Sequence, residues 1–154
     1  RLQKLEDNDW TGAIFAAAGL ERINLKPDNH IELDWMIPAP AQGAMLVVTM
    51  ESNSFCRTAL ESLNHTETAL TVKVEREFLK TLEGGCTAPI GALASIKDDE
   101  LHLKAGLFSL DGKESYVIEE STPLDQVEGF GRRCAELVFK QGGDQLMKEL
   151  RKIL

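Results

Sequence analysis

The chain has 154 residues, 43% of them hydrophobic and 27% charged, the composition of a soluble globular protein of one or two domains. No apolar run approaches the roughly 20 residues that a helix needs to span a bilayer. The formal net charge of −8 excludes the broad basic surface that nucleic acid or an acidic membrane requires, and confines any anionic ligand to a cleft where a few cations converge. Three widely spaced cysteines (Cys56, Cys86 and Cys134) contain no CxxC, which argues against a disulfide framework or structural zinc and for a reducing cytoplasm. His30, His65 and His102 form no metal-binding spacing.

In chain order, Arg1–Glu6 reads as the tail of a helix. The continuous apolar run Gly12–Ala18 predicts a strand covered on both faces. A short helix over Gly19–Leu25 is stopped by Pro27. Ile31–Trp35 is a short strand candidate, followed by the stiff Pro38/Pro40 connection, and Ala44–Glu51 is a further buried-strand candidate. Ser54–Asn64 repeats Phe55, Ala59 and Leu63 at helical spacing. These elements are too few to close a sheet. The start at Arg1 reads as a processing boundary, so the chain is expected to be part of a longer protein.

The second half looks self-contained. Asn64 and Glu67 predict a capped helix over Glu67–Leu82, with Leu70, Val74, Phe78 and Leu82 as its apolar stripe and Gly84 as its terminator. Strands are expected at Gly91–Ile96, Leu101–Phe108 and Ser115–Glu120, joined by the turns "KDDE" and "DGK" as antiparallel hairpins. A helix beginning near Pro123, capped by Ser121 or Thr122, would bury Val127, Phe130, Cys134, Leu137 and Val138 before Gly142 and Gly143. A last helix, capped by Asp144, would turn Leu146, Met147, Leu150 and Ile153 inward. The expected fold class is α+β, a three-stranded antiparallel sheet with helices on one face, preceded by an incomplete α/β segment.

Cys86 is the residue that stands out. It follows Gly84 and Gly85, which let backbone approach a ligand, and precedes Pro89, so a turn between helix and strand presents its thiol. The preceding helix offers its negative C-terminal end, which disfavours a thiolate. The residues alone leave two readings open: a small side chain filling a turn, or a functional thiol. An anchor that forms one lasting bond suits the setting better than a nucleophile that turns over. Cys134 reads as core, Cys56 as structural, and His65 as a local hydrogen-bonding residue at a helix start. Arg22, after the apolar run, and Arg1 and Lys4 are the cations placed to meet an anion at the carboxyl end of a strand; the bland alternative is a solvated surface arginine. Arg132 and Arg133 read as solvated.

The stretch "SLNHTETALTVKVEREFLKTLEGGCTAPIGALA" (Ser62–Ala94), with "RLQKL" (Arg1–Leu5), "AIFAAAGLERINL" (Ala13–Leu25) and "PAPAQGAM" (Pro38–Met45), resembles the hydroxymethylbilane synthase, or porphobilinogen deaminase, family over essentially the whole chain. The resemblance implies a dipyrromethane cofactor held by a thioether at Cys86, which primes the condensation of four porphobilinogen molecules with loss of ammonia in tetrapyrrole biosynthesis. It implies that Arg1 and Arg22 bind acetate and propionate carboxylates, for which the guanidinium fork is suited. Ala16, Ala17 and Gly19 would line the cleft behind Arg22, and Gly85, Thr87 and Gln42 would lie near the cofactor. It implies a division into residues 1–43, the end of domain 2; 44–63, a crossover belonging to domain 1; and 64–154, the cofactor-anchoring domain 3, preceded by a periplasmic-binding-protein-like architecture. The family's catalytic Asp would lie in an N-terminal domain outside this sequence. The fragment alone is then expected to be inactive, its partners being porphobilinogen, the growing polypyrrole and the missing domains of a monomeric enzyme. One departure is visible: the family's usual "PAVGQGA" is here "PAPAQGA", with Pro40 and Ala41 in place of Val and Gly, which unsettles the local hinge geometry. From another functional class, a non-catalytic α+β binding module with a structural Cys86 accounts for the same composition.

Overall fold

The computed structural model describes residues 2–83 and 87–153. They divide into two compact units, Arg1–Asp34 and Trp35–Leu154.

The first unit contains helices α1 (Leu2–Glu6) and α2 (Ala17–Arg22). Asn8 closes α1 by donating its side-chain amide to the Lys4 carbonyl at 2.7 Å. Beyond α2 the chain turns through Asn24, at φ 51°, and Lys26 pairs with Glu21 and Glu32 at 3.1 and 3.2 Å. None of its described residues is buried, and Trp10, Ile14 and Ile31 are exposed. The strands expected at Gly12–Ala18 and Ile31–Trp35 are absent. The apolar run instead enters α2, because an isolated run has no neighbouring strand to take up its backbone N–H and C=O groups, and a helix satisfies them locally.

The second unit opens with a turn over residues 38–43, in which Gln42 N–H donates to the Ala39 carbonyl and Ala44 N–H to the Ala41 carbonyl. Ala44–Glu51, for all its β-branched and apolar composition, is not a strand and is not buried. Met45, Leu46, Val47 and Val48 are all exposed. Helix α3 (Ser54–Glu61) begins where the Asn53 side chain accepts from the Cys56 N–H at 3.0 Å. Its Phe55 is exposed.

Val74 is the first buried residue among those described. It lies on α4 (Thr66–Thr81), whose stripe Val74, Phe78 and Leu82 is wholly excluded from solvent. The helix begins at Thr66, one residue before the predicted Glu67, and its cap lies one residue after the predicted Asn64. His65 is its N-cap, and the imidazole Nδ1 accepts from the Thr68 N–H at 3.3 Å, the task a shorter Asn oxygen performs elsewhere. The last turn closes with Glu83 at φ 55°, and the expected terminator Gly84 lies outside the described residues.

Strands β1 (Ile90–Lys97), β2 (Glu100–Phe108) and β3 (Ser115–Pro123) form an antiparallel sheet in the order β1-β2-β3. Its register pairs Ala92 with Ala105 and Ala105 with Ile118. Leu101, Leu103, Ala105 and Leu107 are at most 1% exposed while Lys104 between them faces solvent, the period-two pattern of a half-covered sheet. The two-residue β1–β2 turn puts Asp98 and Asp99 at φ 53° and 60°, the left-handed pair a tight hairpin requires.

β3 runs on to Pro123, where a helix start was expected. Pro123 pairs with Glu100 at the end of an edge strand, a place where a missing N–H costs little. A single 3-10 turn, Leu124–Gln126, then leads to α5 (Phe130–Val138). Gly131 lets α5 lie directly on α4: a Cβ there would meet the Val74 carbonyl oxygen, with the Glu77 Cβ at 2.8 Å and the Phe78 nitrogen at 3.0 Å. After a π-turn, Phe139–Gly143, with Gly142 at φ 113°, α6 (Asp144–Ile153) buries Leu146, Met147 and Leu150. Ile153, expected inward, is exposed. The core thus fills the space between one face of the sheet and α4, α5 and α6.

Candidate functional site

Cys86, with Gly84 and Gly85, lies outside the described residues, as does Arg1. The flanks of the loop are well defined. Leu82, wholly buried, anchors its entrance and Ile90, 7% exposed, its exit. Between those anchors Glu83 and Thr87 are both exposed. The Glu83 carboxylate is held by Arg151 of α6 at 2.7 Å, so α6 ties down the residue just before the glycines.

Where the chain leaves the loop, Ala88, Pro89, Ile90 and Gly91 form one wall of a cavity of about 530 Å³ on the sheet face opposite the one packed against α4 and α5. Trp35, Met36, Ile37, Phe108 and Val117 complete its apolar lining, and Lys104 is its cation, paired with Glu119 at 2.7 Å. Gly91 is required there. A Cβ would fall 2.9 Å from the Ile37 side chain and carbonyl, which rest against the strand.

Glu75, a residue the sequence reading passed over, holds this corner together. It is buried on α4, 6% exposed, and its two carboxylate oxygens accept from two separate segments. Oε1 accepts from the Ala94 N–H of β1 at 2.8 Å and Oε2 from the Ala41 N–H at 2.7 Å. The neighbouring Ala92 N–H of β1 donates to the Pro38 carbonyl at 2.9 Å. The outer edge of β1 is therefore satisfied partly by the incoming turn and partly by a carboxylate. Ala41, the departure from the family pattern, sits at φ 61°, a left-handed conformation that costs a residue with a Cβ about 1–2 kcal/mol and a glycine nothing.

The other predicted site residues fall in two places. Ala16 is the N-cap of α2, and Ala17, Gly19 and Arg22 lie on that helix, all exposed, so the first unit presents these four together. A Cβ on Gly19 would meet nothing within 4 Å. Thr87 and Gln42 belong to the second unit, both exposed, Gln42 in the turn that Glu75 holds. Cys134 is buried at 1% exposure, and burial pushes its thiol up to about 12, with the Glu120 charge acting in the same direction. It is therefore an inert core thiol. Among the described residues no cluster of His, Cys, Asp and Glu could hold a metal ion, and no described helix is long and apolar enough to cross a membrane.

Two family models match. Residues 69–140 match the C-terminal domain of porphobilinogen deaminase, and residues 1–58 match the porphobilinogen deaminase dipyromethane cofactor binding domain. The chain belongs to the porphobilinogen deaminase family. Curated relatives agree. The porphobilinogen deaminase of Carboxydothermus hydrogenoformans is 34% identical over 99% of this chain and 50% of its own length. A probable porphobilinogen deaminase of Methanosarcina acetivorans is 37% identical over 97% of this chain and 48% of its own length. The corresponding figures for that of a Synechococcus species are 38%, 97% and 48%. The chain thus spans about half the length of the curated relatives it matches. Cys86 and Glu75 fall inside the C-terminal-domain match, and Ala16, Arg22 and Ala41 inside the cofactor-binding-domain match.

Proposed function

We propose that this chain is the primer-bearing part of a hydroxymethylbilane synthase, a transferase that joins four porphobilinogen molecules head to tail with release of ammonia. The observation that carries the reading is the sequence Gly84-Gly85-Cys86 between α4 and β1, inside the match to the family's C-terminal domain. The residues beside it fit a covalently held dipyrromethane. Both flanks, Glu83 and Thr87, face solvent, while Leu82 and Ile90 are buried in the core.

Cys86 is the tether. Its sulfur would hold the group through a thioether to a methylene carbon, the thiol having given up its proton. When bound, the dipyrromethane supplies the nucleophilic pyrrole carbon to which the first substrate unit is joined. Arg22 and Arg1 take the acetate and propionate carboxylates of cofactor and product chain, as charge-assisted, two-pronged hydrogen bonds favour. Thr87, Gly85, Ala16, Ala17 and Gly19 are small or polar residue types that would leave room for rings. The catalytic carboxylate that protonates the leaving amine and steadies the pyrrole cation belongs to the other half of the enzyme. The same half covers the exposed apolar stretch Ala44–Met50, and this chain by itself does not turn over.

Intact-mass spectrometry of the full-length protein tests the tether. A covalent increment equal to dipyrromethane is expected, mapping to the peptide with Cys86 and absent from Cys86→Ser. An unmodified mass in protein that turns over normally, or full turnover by Cys86→Ser, overturns it.

A further inference from the structure

The edge of a sheet is costly to leave open, because its outward N–H and C=O groups need partners. β1 is such an edge. Its outward N–H groups at Ala92 and Ala94 are met by Pro38 and by Glu75, and the same Glu75 reaches a third segment at Ala41. An ionised carboxylate suits this geometry because both of its oxygens accept. A glutamine would offer one acceptor and turn an NH₂ donor toward the other N–H, and an aspartate is one methylene too short to keep both bonds. The turn it holds carries a residue, Ala41, in a left-handed conformation that its side chain resists.

We propose that Glu75 is a positioning residue, a carboxylate latch that fastens the turn of residues 38–43 to the edge of β1 against the strain at Ala41. The chain entering Ala44–Glu51 is thereby carried on the same body as α4 and β1, the two elements that flank Cys86. Fastened in this way, that segment keeps a constant offset from Leu82 and Ile90, the buried residues on either side of the cysteine loop. This purpose rests on the reading of Cys86 given above; the latch itself does not.

Hydrogen exchange resolved by residue, in the full-length protein, reads the latch. The informative amide is Ala92, which bonds to Pro38 and not to Glu75. If the turn depends on the latch, Glu75→Gln speeds exchange at Ala92 by about tenfold or more, although its own bond is untouched chemically. Ala41→Gly, which removes the strain, restores most of that protection in the Glu75→Gln background. Unchanged exchange at Ala92 in Glu75→Gln, or no rescue by Ala41→Gly, overturns the latch. The mass of the Cys86 adduct, read on the same samples, reports the tether separately, so failure of one is not mistaken for failure of the other.

Discussion

Replacing Gly131 by alanine is expected to destabilise the second unit by about 1–2 kcal/mol, against the usual preference of helices for alanine. In an exposed helix interior the exchange would stabilise by about 1 kcal/mol. Here the new methyl would meet the Val74 carbonyl oxygen and lie 2.8 Å from the Glu77 Cβ and 3.0 Å from the Phe78 nitrogen. Carbon atoms rest at about 3.5–4.0 Å, so α5 must lift from α4 by roughly 1 Å. Two of the three obstacles are backbone atoms that no rotamer change can move. Lifting by that much forfeits a quarter to a half of each dispersion contact across the crossing, where Val74, Phe78, Cys134 and Ala135 are all buried. Overpacking costs about 1–3 kcal/mol, and with two immovable backbone obstacles the upper part of that range applies, which leaves about 1–2 kcal/mol after the gain in propensity. Urea unfolding followed by far-ultraviolet circular dichroism measures the difference. A midpoint equal to or above that of the parent protein refutes the claim that Gly131 is there for close approach.

Two further outcomes are expected. Because Cys134 titrates near 12 when folded and near 9 when unfolded, the folded form binds the proton more tightly. Its contribution to stability is therefore full below pH 9 and is lost as pH rises toward 12, by at most about 1.4 kcal/mol per pH unit. Unfolding midpoints at pH 8 and pH 10 should diverge less in Cys134→Ala, and an equal divergence refutes the assignment. In the full-length enzyme, Arg22→Ala is expected to weaken porphobilinogen or product-chain binding about tenfold, with Arg22→Lys restoring little of it. Unchanged kinetics in both variants would remove Arg22 from the carboxylate site.

The C-terminal half was readable because its contacts are local or periodic. Leu101, Leu103, Ala105 and Leu107 alternate, a two-residue turn joins β1 to β2, and Val74, Phe78 and Leu82 recur at helical spacing, so each element declares its inner face from its own residues. Upstream, the same logic overreached. The runs Gly12–Ala18 and Ala44–Glu51 are apolar enough for central strands, but a strand is a relation between segments, and neither has a paired neighbour among the described residues. The start of α5 was misplaced for a related reason. Pro123 opens a helix or closes an edge strand equally well, and the pairing with Glu100 decides between them.

The proposal of a tether at Cys86 came from the sequence for a different reason. Gly84-Gly85-Cys86 with its flanks is a contiguous motif, and the chemistry it implies needs no knowledge of distant residues. Glu75 was not legible. As a charged residue beside an apolar stripe it looks like ordinary helix surface, and its partner at Ala41 is 34 residues upstream. The strain at Ala41 was half visible, as an alanine where the family usually has glycine, but its φ of 61° belongs to the folded turn. Sequence by itself determined the family and the three-stranded sheet, and singled out Cys86 as the residue proposed to carry the primer, because periodicity and contiguous motifs are properties of neighbouring residues. Only the tertiary structure decided which sheet edge stays open, what closes it and where a carboxylate is buried, because unsatisfied backbone groups acquire partners only when distant segments meet.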